Sequence, residues 1–349
     1  MTLRFIDGFE GYNKANVSKF WDYNRLDANS DIFVGGGRRG GNCLGNNWGN
    51  GRCELKKTFN WDTSGAWTTI GVAFKPTAEN YDVPSLIQLK VDEWPGTGAS
   101  GFGLNDSLQL QFKKTSATSY VAIYTHPEPL KINTWYYIEM STFIHATAGR
   151  IIGRLNEQEV CNWTGDNVPY QSSAVLNYLH IDFGSYELGR LDDIYILDDS
   201  GSFNNTFLGD IRVDNVHPNG AGNYTQFTPS AGANYECVDE NPYSETDYVS
   251  HLTLGEKDSY AYADVPTDLD DTAIFGIQLM NQSQRTAGTD NVKIKGLLRT
   301  GAADYEESTA QSLAETFKSN RVIWEKDPSD SNIWTQAKIN ACEFGMEVN

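Results

Sequence analysis

The chain has 349 residues, of which 39% are hydrophobic and 12% aromatic, and its formal net charge is −19. That length suits two domains, and that much apolar material excludes a disordered chain. The negative charge excludes nucleic acid and anionic membrane as main partners, because both repel an acidic surface.

The opening, Met1 to Asn13, carries acidic residues and glycines where a signal peptide needs an apolar run. No stretch approaches the roughly 20 apolar residues of a membrane span. The chain is therefore expected to be made in a cytoplasm without an export signal of its own. The run Gly35-Gly36-Gly37-Arg38-Arg39-Gly40-Gly41 lacks the Lys-Ser/Thr ending of a P-loop and any βαβ context, so it reads as a turn between early strands. Period-two alternation then recurs. Ile70, Val72 and Phe74 share one face of a strand. Leu108, Leu110 and Phe112 share another, with Gln109 and Gln111 opposite, and Ile138, Met140 and Ile144 a third. Between Asn177 and Phe183, Leu179, Ile181 and Phe183 face away from Tyr178, His180 and Asp182. One apolar and one polar face is the mark of antiparallel sheets, and turn clusters such as Pro95-Gly96-Thr97-Gly98 and Thr147-Ala148-Gly149 separate the runs.

The stretch from Glu187 to Asn215 reads as a domain junction. Arg190–Leu197 closes one sandwich, Phe207–Val213 opens another, and Asp, Ser, Gly and Asn link them. Beyond it, Ala273–Met280 reads as a largely buried strand, and Val292 and Ile294 alternate with Lys293 and Lys295. Residues 310–319 are the one short helix candidate. Cys342, Phe344, Met346 and Val348 oppose Glu343 and Glu347 in a closing strand. The expectation is an all-β chain of two β-sandwich, jelly-roll-like domains, residues 1–198 and 199–349.

Chemistry is sparse in this reading. A sandwich glycosidase needs two carboxylates roughly 5–10 Å apart, and an alternating acidic run on one strand would announce them. Glu54, Glu128, Glu139 and Glu187 instead stand apart, as do His126, His145, His180, His217 and His251. No catalytic residue, cofactor or metal is therefore expected, and the chain is expected not to be an enzyme. The acidic pairs Asp192-Asp193, Asp198-Asp199, Asp239-Glu240 and Asp270-Asp271 suit calcium as hard ligands, but no repeat organises them, and solvated turns explain them better. Asp192 alternates with Ile194 and Ile196, so it is expected to face inward, where a carboxylate needs a hydrogen-bonded or cationic partner, or a metal. Cys43, Cys53, Cys161, Cys237 and Cys342 are an odd, scattered set read as buried thiols, with a Cys43–Cys53 loop pairing left open. Trp48, Trp61, Trp67 and Trp94 lie in or beside loop-like sequence where rings could stack on sugars, although most sandwich aromatics are core. The Asn-x-Ser/Thr matches at Asn16, Asn162, Asn204, Asn223 and Asn281 read as chance in an Asn-rich chain.

Two stretches carry a family likeness. Residues 191–198, LDDIYILD, and the Trp-bearing stretch Thr134–Glu157 resemble concanavalin A-like, laminin-G-like jelly rolls. More widely, RFIDGFEGYN, GGGRRGGNCL, LDDIYILDDSGSFNNTFLGDIRV and DPSDSNIWTQAKINACEFGMEV, in that order, resemble a family of tailed-bacteriophage virion proteins. The resemblance implies β-rich domains on a virus particle, as an exposed capsid decoration or short tail appendage. It implies other virion proteins as partners, and a closed homo-oligomer, a trimer in the first instance, is expected on symmetry grounds. The alternative is a carbohydrate-binding adhesin, a tail-fibre or spike component that contacts a host-surface glycan.

Overall fold

The structure, a computed structural model, describes residues 2–47, 52–78, 83–91, 98–116, 119–169, 175–184, 189–269, 273–286, 288 and 291–349. The expected all-β architecture is what the chain adopts: its strands form several antiparallel sheets, and it divides into two compact units, Met1–Val213 and Asp214–Asn349. No helix among the described residues is long and apolar enough to cross a membrane.

The first unit is a sandwich of two sheets. One has eight strands: Gln158–Gly165, Gly149–Leu155, Tyr136–Phe143, Trp67–Pro76, Gly189–Asp198, Cys43–Asn46 and Ser30–Phe33 in order, with Leu3–Asp7 added on Gly189–Asp198. The other has seven: Ser119–Pro129, Gln109–Ser116, Gly98–Leu104, Val83–Lys90, Tyr178–Asp182, Cys53–Thr58 and Tyr23–Leu26. The alternating residues supply the core between them. Ile70, Val72, Phe74, Ile138 and Met140 from the first sheet, and Leu55, Ile87, Phe112, Leu179 and Ile181 from the second, are fully buried. Gly153 lets the sheets close, because a Cβ there would lie 2.4 Å from the Phe112 ring. The Gly-rich run is the connection between Ser30–Phe33 and Cys43–Asn46, which pair as neighbours.

Two readings near the junction change. Asp192 does not face the core. A bulge at Asp193, φ +50°, shifts the phase of alternation, and Asp192 pairs with Ala73 on the outer face, under the Gly-rich loop. There it accepts backbone N–H bonds from Arg38 and Asp193, each at 2.8 Å. Phe207–Val213 is not the opening strand of a second sandwich; it carries no strand and belongs to the first unit, so the division falls after Val213 instead of Asp198. The segment is a strap across the outer face of the eight-stranded sheet. Leu208 N donates to Tyr195 Oη (3.2 Å), Gly209 N to Glu139 Oε1 (2.9 Å) and Val213 N to Asp193 Oδ1 (2.8 Å). The Arg154 guanidinium lies 4.1 Å from the centre of the Phe207 ring, and Arg38 donates to Ile211 O at 3.1 Å and pairs with Asp210. Side chains, not a neighbouring strand, satisfy its backbone.

The second unit is built on a six-stranded sheet whose main path runs Pro218–Thr225, Lys257–Tyr262, Glu343–Val348, Lys293–Thr300 and Ala303–Glu306. The ribbon of Ile277–Ser283 and Lys318–Trp324 packs on it, Leu279 joining Leu298, Trp334, Cys342 and Phe344 in one core. Cys342 and the closing strand sit as the alternation requires. The Ala273–Met280 strand is displaced and mostly half-buried, with strand from Ile277 and only Leu279 buried. Residues 310–319 are not helical; a short strand, Gln311–Ser312, lies there, and the α-helix among the described residues is Gln336–Asn340, capped by the Thr335 side chain.

Candidate functional site

On an antiparallel sheet, directly paired residues share a face. On Tyr178–Asp182 the core takes Leu179 and Ile181, so Tyr178, His180 and Asp182 line the opposite face. His180 pairs with Lys56 on one side and Gln88 on the other; Tyr178 pairs with Lys90, and Asp182 with Glu54. Gln88 pairs with Gly101, Gly101 with Lys113, and Lys56 with Tyr23. A row Tyr23–Lys56–His180–Gln88–Gly101–Lys113 therefore crosses the sheet, and Thr115 and Tyr120 continue the polar face at its far end.

An ordinary polar sheet face is solvated. This one is not: His180, Gln88, Lys90, Lys113 and Glu54 are each at most 8% exposed. Burying such groups is costly unless they are paired or used. Aromatic rings and ion pairs take part of that cost. Lys56 Nζ sits 4.7 Å from the centre of the Tyr23 ring and 5.5 Å from that of Tyr178, and Lys90 Nζ lies 5.8 Å from Tyr178. Arg52 reaches Glu54 at 3.1 Å and Asp182 at 3.8 Å.

His180 is the exception. Its Nδ1 and Nε2 are both buried and both lack a hydrogen-bond partner. Burial, helped by the Lys90, Lys56 and Arg52 charges, pushes the imidazole down to about 3, so the ring is neutral at any ordinary pH. Its Nε2 stands 4.0 Å from Glu54 Oε1. Tyr120 Oη and Thr115 Oγ1, cross-strand neighbours, are likewise buried without a hydrogen bond of good geometry, and burial pushes the Tyr120 hydroxyl up.

No protein-family profile and no curated protein matches the chain. Solved structures do resemble it. Alginate lyase Aly36B aligns at TM-score 0.41 and 11% identity, covering 59% of this chain and 94% of that one. The marine PL-14 alginate lyase from Aplysia kurodai aligns at TM-score 0.43 and 9% identity, covering 56% and 99%. A Trypanosoma rangeli sialidase aligns at TM-score 0.33 and 12% identity, over 48% of this chain and 27% of its own. The expectation that the chain is not an enzyme is corrected here: the structures it resembles are carbohydrate-active enzymes. With scores this low, no reaction, substrate or residue role passes from them to this chain.

The other candidates stay apart. Glu139 is buried under the strap, bonded to Tyr195 and Gly209. Glu128 is exposed; His126 and His145 accept local backbone N–H bonds, and His251 stacks on Phe227 at 5.5 Å. Trp61 stacks on Phe59 and Trp67 packs with Phe143, neither on the polar face. Trp48, Trp94, Glu187, Asp270 and Asp271 lie outside the described residues. All five cysteines are free and buried, Cys43 and Cys53 in different sheets. The residues that sequence reasoning missed are Lys56, Gln88, Lys90 and Lys113. Their signal was long basic and amide side chains at the polar positions of successive strands in an otherwise acidic chain.

Proposed function

We propose that the first unit binds an anionic oligosaccharide across the polar face of its seven-stranded sheet. The observation that carries this reading is the burial of His180, Gln88, Lys90 and Lys113 on one sheet face, beside Lys56, Tyr23 and Tyr178. Lysines at this depth match carboxylate or sulfate groups, an amide and hydroxyls match sugar hydroxyls, and tyrosine rings offer faces to pyranose C–H surfaces. Burial lowers the local dielectric and strengthens each of these contacts over its value in water. The chain as a whole carries a formal net charge of −19, so these lysines stand out against an acidic background.

Calorimetric titration of the full chain with an oligouronate and with a neutral oligosaccharide of equal length tests it. The oligouronate binds and the neutral sugar does not, and Lys56→Ala weakens binding by about tenfold, the loss of one charge-assisted contact. Equal affinity for both sugars, or none for either, overturns the reading.

The four ordered motifs that resemble tailed-phage virion proteins support a particle setting, with other virion proteins and further copies of the chain as partners. In that setting the polar face meets a host-surface glycan. Mass spectrometry of purified particles detects the chain if the setting is right; its presence only free in infected cells overturns it.

A further inference from the structure

We propose that Glu54, His180 and Asp182 hold a divalent transition-metal ion. His180 and Asp182 stand two apart on one strand and so share a face, and Glu54 is the direct cross-strand partner of Asp182. One ligand atom from each lies within 4.8 Å of the other two. A cation equidistant from three atoms so spaced sits about 2.3–2.8 Å from each, and a closure of about 0.2–0.8 Å reaches Zn–N and Zn–O lengths.

The Arg52 ion pairs account for the two carboxylates but not for the imidazole. Both ring nitrogens are buried without a partner, and a buried orphan of this kind points to a missing water or ion. One nitrogen and two carboxylates suit Zn²⁺ or Mn²⁺ better than Ca²⁺ or Mg²⁺, which take oxygen ligands alone. Arg52 is the competitor. Its guanidinium contacts both carboxylates, yet its side chain is 40% exposed and free to swing outward as the ion enters. Lys56 and Lys90 stay in place and oppose the ion, so affinity is expected to be modest.

The proposal goes beyond the glycan reading and is tested without sugar, so either can fail alone. The full chain, freed of metal, is titrated with Zn²⁺ and separately with Mn²⁺ at neutral pH. One ion binds per chain, His180→Ala weakens it by at least about tenfold, and Arg52→Gln tightens it about fivefold or more, because the competing cation is gone. Arg52 lies on a half-exposed side chain, so R52Q reports even if H180A fails to fold. Tightening in R52Q sustains the proposal. No binding up to about 1 mM, or an affinity unmoved by R52Q, overturns it.

Discussion

Two opposing influences meet at Asp192. The backbone N–H groups of Arg38 and Asp193 favour its charged form, while burial and the Asp193 carboxylate disfavour it, and burial is the largest. The balance pushes the carboxyl up to about 8 from its ordinary 3.8. The folded chain therefore keeps a proton that the unfolded chain has lost, and stability falls as pH rises from roughly 4 to 8. Asn cannot titrate. The difference in unfolding free energy between wild type and Asp192→Asn is expected to shift in favour of the variant between pH 5 and pH 8, by at most about 1.4 kcal/mol per pH unit. Calorimetry at both pH values measures it, and a difference independent of pH removes the argument. The sequence marked Asp192 as a carboxylate in need of partners, yet it pointed the side chain the wrong way. Alternation carries no trace of a single-residue bulge, nor of the Arg38 N–H that meets Asp192 from far earlier in the chain.

At the scale of elements, the strap shows why some strands were legible and one false strand was not. Tyr178–Asp182 and Tyr136–Phe143 were readable because their core-facing apolar residues recur at every second position, Leu179 and Ile181 in one and Ile138 and Met140 in the other. Phe207, Ile211 and Val213 mimic that period, but the segment's backbone is held by Tyr195 at Leu208, Glu139 at Gly209 and Asp193 at Val213, which no local pattern reveals. The polar face had the same split legibility. Its direction followed from alternation in Tyr178–Asp182, while the meeting of Glu54 with His180 depended on which strands became neighbours. If the strap is held by these side chains, Glu139→Ala leaves Gly209 N and Tyr195 Oη without their acceptor, at a cost of about 1–3 kcal/mol. Limited proteolysis is expected to cut E139A within Phe207–Val213 and to spare that segment in wild type. Equal cutting of both rejects the strap as a structural element.

For the whole molecule, the boundary decides what can stand alone. A chain ending at Val213 keeps every strap contact described, whereas one ending at Asp198 bares Glu139, Tyr195 and the pair of Asp193 with Arg38. The longer piece is expected to unfold cooperatively and the shorter one to lose several degrees of melting temperature or fail to fold, as circular dichroism on heating would show. The thiols add a consequence of another kind. Cys43, Cys53 and Cys161 lie in the first unit, Cys237 and Cys342 in the second, and every one is buried. Burial pushes Cys43 up to about 12 and raises Cys53, Cys161 and Cys342, which leaves almost no thiolate at these four positions while the chain is folded. Alkylating reagents therefore find nucleophiles only in chains that have opened. The protein carries its own clock for opening, read as mass added to peptides of one unit before the other.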